Sequence, residues 1–451
     1  MRAATGALLR TLLLALVVAL VRPQGLAAQS APAGTGLPAV EAGLTVLLDR
    51  YARPLEPAPL LEAGWRGALQ ASGVPDAAPP ALPAFPAGRS EAWDEFQNRF
   101  AALVLAGGDA DAMARAANQA MARSLGDCHT RFAPSFERET QSLSGPERYG
   151  GIGAASLDGR QFAPPAPGPV FVALVEGGPA QRAGIRLGDA VLAVDGVEAA
   201  ALPTGRVTEM VRGAPGTTVE LRLDRPGVPQ PVTVVIEREW IEDRVLESRY
   251  VAPDAPGTPG IGYVRLRQFA RPAAAALPGV VDELRAQGAA GWVLDLRDNS
   301  GGELQTFVGV ASLFLNEGPL GVTVNRSGRE QAIAPNGALH RPFARPLAVL
   351  VNGRSASAAE LLAADVQDYG AGRVFGTSTA GCFGTSQLFR LPDGSAQWLT
   401  VSALQSGGAR RDVHKVGVVP DEVIGRTRDD LAGGRDPQLA RAVAWLRAGG
   451  R

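Results

Sequence analysis

A serine hydroxyl becomes a nucleophile only where the fold exposes it and another group takes its proton. The stretch GRSASAAELLAADVQDYG, residues 353–370, puts Ser355 and Ser357 between an apolar strand pattern, PLAVLVN (346–352), and an amphipathic helix pattern. A serine at such a strand-to-helix turn, here Ser357, exposes its hydroxyl, and the amide of the next residue, Ala358, can donate to a developing oxyanion. A second loop, DLRDNSGG (295–302), ends in two glycines at the start of another helix, where the Gly301 amide would be the second donor. Serine before a helix is more often an N-cap, so the spacing alone also fits a structural role. The proton acceptor is the missing part. The chain has 3 histidines and a single lysine, Lys415, and arginine does not deprotonate in proteins.

These loops need a scaffold, and 451 residues with 46% apolar content can bury one large core or several smaller ones. A net charge of −1 supplies no basic field for nucleic acid or anionic lipid. Residues 1–28 have the pattern of a signal peptide: Arg2 and Arg10 precede the apolar run TLLLALVVALV (11–21) and the small-residue stretch GLAA (25–28). The run is shorter than the roughly 20 residues a membrane span needs, so the expectation is export without stable membrane insertion. Residues 29–38 follow as a flexible lead-in, and 39–146 form a helical N-terminal region that ends with the loop DCHTRF. From 147 to 239 short β-rich runs alternate with glycine turns. From 252 to 430 continuous apolar strands alternate with helices, the pattern of a sheet with parallel pairs covered on both faces. Residues 431–451 are expected as a helical tail. The fold class is therefore α+β multidomain: helices, a β-rich domain, and an α/β core of βαβ units.

In order, the segment YGGIGA, GGPAQRAGIRLGD, VDG and APGTTVEL resembles a PDZ domain. The resemblance implies that the loop with Gly151, Ile152 and Gly153 captures a peptide C-terminal carboxylate, with Val207 and Val211 facing it from a helix. Together with DLRDNSGG, VLVNGRSASAAELLAADVQDYG, GTSTAG and GVVPDEVI, it makes the chain similar to the carboxyl-terminal processing peptidases and their tricorn-like relatives, whose core is crotonase-like. That resemblance implies Ser357 as nucleophile, the amides of Gly301 and Ala358 as oxyanion hole, and Ser355 in support, with Ala359 in place of a third serine. It also implies a base lysine 25 residues after the nucleophile, and there this chain has Cys382. The tricorn-like branch implies a histidine at the position of His129, an imidazole suited to neutral pH. Lys415 and His414, in DVHKVGVVPD, are the alternative bases. By the resemblance Cys128 and Cys382 both fall on active-site loops, and two cysteines in an exported chain are expected to pair as a disulfide. The expected function is an exported serine endopeptidase acting on proteins or peptides with free C-termini, without metal or cofactor. The alternative is a PDZ adaptor that has lost its base and only binds peptides.

Overall fold

The computed structural model describes residues 36–74, 84–144, 148–242 and 245–450; the expected signal peptide, 1–28, lies outside them. No helix among the described residues is long and apolar enough to cross a membrane.

Four helices, Leu37–Arg50, Pro57–Ala71, Arg89–Leu105 and Ala110–Ser124, form the N-terminal region. Each presents apolar residues at three- and four-residue spacing, as in Val40, Leu44, Leu47 and Leu48, and these meet Phe96, Phe100 and Met121 in one core. Leu399 of the distant C-terminal part belongs to the same core. The join is also made by backbone: the short strand Arg131–Ala133 pairs antiparallel with Ala396–Gln405, Arg131 opposite Trp398. The loop that carries His129 is thereby tied to the sheet that contains Ala396–Gln405 and does not hang from the helices.

The main sheet has six strands in sequence order: Leu246–Val251, Gly260–Leu266, Ala289–Asp295, Leu347–Val351, Gly372–Gly376 and Glu422–Val423. Its first pair is antiparallel and the remaining pairs are parallel. All five residues of Leu347–Val351 are buried because both faces are covered. Leu347, Val349 and Val351 pack with the helices Arg271–Ala286, Leu304–Phe314 and Ala358–Asp368. Ala348 and Leu350 face Trp445 and Leu446 of the helix Pro437–Arg447. That last helix packs on the central strands of this face, so the region expected as a tail is part of the core.

Between these parts, Ala154–Leu157, Val170–Leu174, Ala190–Val194, Thr218–Asp224 and Val232–Glu237 form an antiparallel sheet, and Arg148–Gly151 pairs with Glu239–Glu242. Ile152, Phe171, Val191, Val207 and Leu221 make its separate core. This domain is held against the C-terminal region by Arg428, which donates to the Gly188 carbonyl and to Asp224. Arg354, three residues before Ser357, donates to the Ser156 carbonyl at 2.5 Å.

Candidate active site

Ser357 stands between the strand Leu347–Val351 and the helix Ala358–Asp368, with φ 55° and ψ −117°. A non-glycine residue held there costs on the order of 1–3 kcal/mol and persists only if its surroundings enforce it. Here they do. The Ser357 amide donates to the Cys382 carbonyl at 2.9 Å and to the Glu360 carboxylate at 2.9 Å. Fully buried Ser355 ties the turn down from below, its hydroxyl donating to the Leu296 carbonyl at 2.7 Å and accepting from the Asn352 amide at 3.0 Å. Gly301 lies against Ser357 so closely that a Cβ on it would come within 2.7 Å of the Ser357 Cβ, and its φ is +97°. Both facts require glycine.

The two expected oxyanion donors differ. The Ala358 amide has no hydrogen-bond partner among the described residues. The Gly301 amide donates to Asn299 Oδ1 at 2.8 Å, while Asn299 Nδ2 donates to the Leu266 carbonyl at 2.8 Å. A short amide side chain two residues back has claimed the donor that spacing had left for substrate. Of the two amides, only that of Ala358 is open in this conformation.

Cys128 and Cys382 are joined by a disulfide, with Cα atoms 5.8 Å apart. Closing the intervening 254 residues stabilises the fold by about 5 kcal/mol in the chain-entropy model. The imidazole of His129 lies on this bridge: Nδ1 is 3.6 Å from Cys128 Sγ and 3.7 Å from Cys382 Sγ, and Nε2 is 3.6 Å from Cys382 Sγ. Cys382 thus touches both parts of the expected pair, bonding the Ser357 amide through its carbonyl and the imidazole through its sulfur. No hydrogen bond joins the Ser357 hydroxyl to the imidazole among the described residues.

Asp127, which sequence reasoning did not single out, organises the His129 loop. Its carboxylate accepts from the His129 amide at 2.9 Å and from the Thr130 hydroxyl at 2.9 Å. Burial works against its charge, but the neighbouring Thr400 hydroxyl and the hydrogen bonds from the His129 amide and the Thr130 hydroxyl outweigh it and hold the carboxyl below its ordinary range. For His129 itself, burial pushes the pKa down, the Asp127 charge opposes this, and His414 reinforces it. The net direction is below the usual histidine value, which keeps the imidazole neutral and able to accept a proton.

The alternative bases are placed less well. Lys415 Nζ donates to the Leu125 carbonyl at 3.3 Å, at the C-terminal end of the helix Ala110–Ser124, where a cation meets the helix dipole favourably. Its ammonium is therefore committed to a helix end. His414 bonds Asp412 through its own amide at 2.9 Å, and its charge acts on His129.

Glu360, also missed, is the fully buried hub of the site. Its carboxylate accepts from the Thr379 hydroxyl at 2.5 Å and from the amides of Gly381, Cys382 and Ser357 at 2.7, 2.8 and 2.9 Å. Burial pushes its pKa up, and these four hydrogen bonds pull against that. The pattern S-x-x-E at 357–360 was a readable signal, because a glutamate three residues into a helix reaches back to the N-cap amide.

In the β-rich domain, the amides of Ile152 and Gly153 have no acceptor among the described residues. They border a pocket lined by Ile152, Val207 and Val211, with Arg212 alongside. The same pocket is also lined by Asp298, Ser300 and Arg354, from the loops that hold Gly301 and Ser357. Gly151, the remaining residue of the expected carboxylate loop, pairs with Glu239 as the last residue of its strand.

Residues 260–424 match the model of peptidase family S41, and residues 170–225 match that of a PDZ domain. The carboxyl-terminal-processing protease of Synechocystis sp. is 35% identical over 254 residues, which are 56% of this chain and 58% of that protein. The chloroplastic carboxyl-terminal-processing peptidase 2 of Arabidopsis thaliana is 34% identical over 263 residues, 58% of this chain and 50% of its own. The chain thus spans little more than half the length of these relatives. The solved photosystem II D1 C-terminal processing protease superposes with a TM-score of 0.57 at 26% identity, covering 86% of this chain and 96% of that one. Mature CPAF shares the fold, with a TM-score of 0.56 at 12% identity over 92% of this chain and 96% of that one. The chain therefore carries a peptidase family S41 domain preceded by a PDZ domain, and is a homologue of the carboxyl-terminal processing proteases.

Proposed function

We propose that the protein is an exported serine endopeptidase that takes protein substrates by their free C-termini. The observation that carries this reading is Ser357, held at φ 55° at the head of its helix with the open Ala358 amide beside it. Its hydroxyl attacks the scissile carbonyl carbon, and the proton passes to His129 as Cys382 and its bridge hold the imidazole near the nucleophile. The oxyanion that forms is met by the Ala358 amide. His129 then returns the proton to the leaving amine, and water hydrolyses the Ser357 ester by the same route. The Gly301 amide joins the oxyanion hole once its bond to Asn299 Oδ1 is exchanged for one to substrate. Catalytic hydrogen bonds are often long or misaligned until substrate binds, which fits the absence of a Ser357–His129 bond here.

The PDZ pocket supports the substrate class. The amides of Ile152 and Gly153 would receive a terminal carboxylate, and buried Val207 with Val211 would favour a small or aliphatic last side chain. From that end the pocket leads to Asp298 and Ser300, beside the nucleophile loop. A second reading, an adaptor that binds C-termini without cleaving, is favoured by one observation: the Gly301 amide is already bonded within its own loop.

Cleavage of peptides that differ only in a free or an amidated C-terminus separates these readings. The full-length protein is expected to cleave the free form with a kcat/KM at least about tenfold higher, equivalent to about 1.4 kcal/mol of binding, and Ser357→Ala to cleave neither. Binding without cleavage supports the adaptor, and equal kcat/KM for both forms refutes carboxylate capture.

A further inference from the structure

We infer that Cys128, His129 and Cys382, once their disulfide is reduced, form a binding site for a thiophilic divalent cation, with Zn²⁺ the best fit. In a tetrahedral zinc site with Zn–S of about 2.3 Å and Zn–N of about 2.0–2.1 Å, the sulfur-to-nitrogen edge is about 3.6 Å and the sulfur-to-sulfur edge about 3.8 Å. His129 Nδ1 already stands 3.6 Å from one sulfur and 3.7 Å from the other. Two of the three edges of the ligand triangle therefore exist in the oxidised protein. Reduction lets the third open, since separating the sulfurs needs only rotation of two cysteine side chains. Cys128 is exposed and Cys382 and His129 are half-buried, so reductant and ion reach the cluster from solvent. The nearby Asp127 carboxylate, bonded to the His129 amide, adds a negative charge that favours a cation.

The chemistry balances with a thiol reductant. Two equivalents of thiol supply two electrons and two protons, the Cys128–Cys382 bond breaks into two thiols, and the reductant leaves as its own disulfide. Binding of Zn²⁺ then releases the two thiol protons, with water in the fourth position. A metal on Nδ1 ties the imidazole to the ion and away from Ser357, so peptidase activity falls with occupancy. That consequence rests on His129 being the base. The binding itself does not, and it is measured separately.

The test is titration of the full-length protein with Co²⁺ and then Zn²⁺ after reduction by a phosphine, with absorption spectroscopy and circular dichroism. The reduced protein is expected to bind one equivalent of Co²⁺ with thiolate-to-metal charge-transfer bands and tetrahedral d–d bands, which Zn²⁺ abolishes by displacement. The oxidised protein shows neither. Cys128→Ser is expected to halve the charge-transfer intensity, and His129→Ala to weaken binding roughly tenfold or more. Reduced protein that keeps its native circular dichroism but gives no thiolate bands overturns the inference. Loss of native structure on reduction alone overturns it too, as do bands unaffected by either substitution. If metal binds as described while His129→Ala leaves the metal-free activity intact, the site stands and the assignment of the base falls.

Discussion

His129→Ala is expected to lower kcat/KM by about 10²- to 10⁴-fold, the usual cost of losing a general base. The imidazole is the group that the Cys128–Cys382 bridge and the strand pairing of Arg131 with Trp398 bring to the Ser357 loop. The pH profile carries the sharper content. A general base works in its neutral form, so kcat/KM rises with pH through the pKa of His129. Burial moves that pKa down, against the Asp127 charge, and His414 moves it further down. The rising limb should therefore have its midpoint below the reference value of about 6.5. Lys415→Ala should change kcat/KM little, because its ammonium is engaged by the Leu125 carbonyl at the C-terminal end of the helix Ala110–Ser124. Steady-state kinetics of the two variants across pH decides between the bases, and the opposite ranking removes His129 from the mechanism.

Glu360→Ala is expected to destabilise the protein by on the order of 3–5 kcal/mol and to abolish most activity. The substitution strands four donors at once: the Thr379 hydroxyl and the amides of Gly381, Cys382 and Ser357. Each buried donor left without a partner costs about 1–3 kcal/mol, reduced wherever water enters the space. Activity falls for a separate reason, since the Glu360 carboxylate holds both the strained Ser357 turn and the segment carrying Cys382. Glu360→Gln keeps the shape and one acceptor oxygen but sets an amide NH₂ against donors. It should lie between wild type and alanine in both properties. Denaturant unfolding with parallel kinetics measures this, and an alanine variant within about 1 kcal/mol of wild type with full activity would show that Glu360 is not the hub.

Local pattern made much of this site legible. The apolar runs GWVLDLR and PLAVLVN are strands because sheet residues covered on both faces need no polar alternation, and Ser357 follows one of them at a helix start. What stayed hidden depends on contacts between distant residues. Nothing in DCHTRF signals that Arg131–Ala133 joins a strand formed by Ala396–Gln405, yet that pairing sets the position of His129. Asp127 was passed over because its bonds to the His129 amide and the Thr130 hydroxyl are those of any local aspartate turn, and only the amide of distant Thr400, donating to the Thr130 hydroxyl, ties that turn into the sheet. Glu360 resembles any solvated helix glutamate until the segment Thr379–Cys382 folds over it. The bond from the Gly301 amide to Asn299 Oδ1 was also hidden, because glycine spacing reports backbone freedom and does not show which side chain takes the freed donor.

The most direct measurement is the rate at which a fluorophosphonate forms an adduct with the full-length protein, with the modified residue located by mass spectrometry, as a function of pH. The account predicts an adduct on Ser357 alone, formed at a rate that rises with pH to a plateau through a midpoint below about 6.5, lost in His129→Ala and kept in Lys415→Ala. No adduct at any pH, or labelling that survives His129→Ala and disappears in Lys415→Ala, would contradict it.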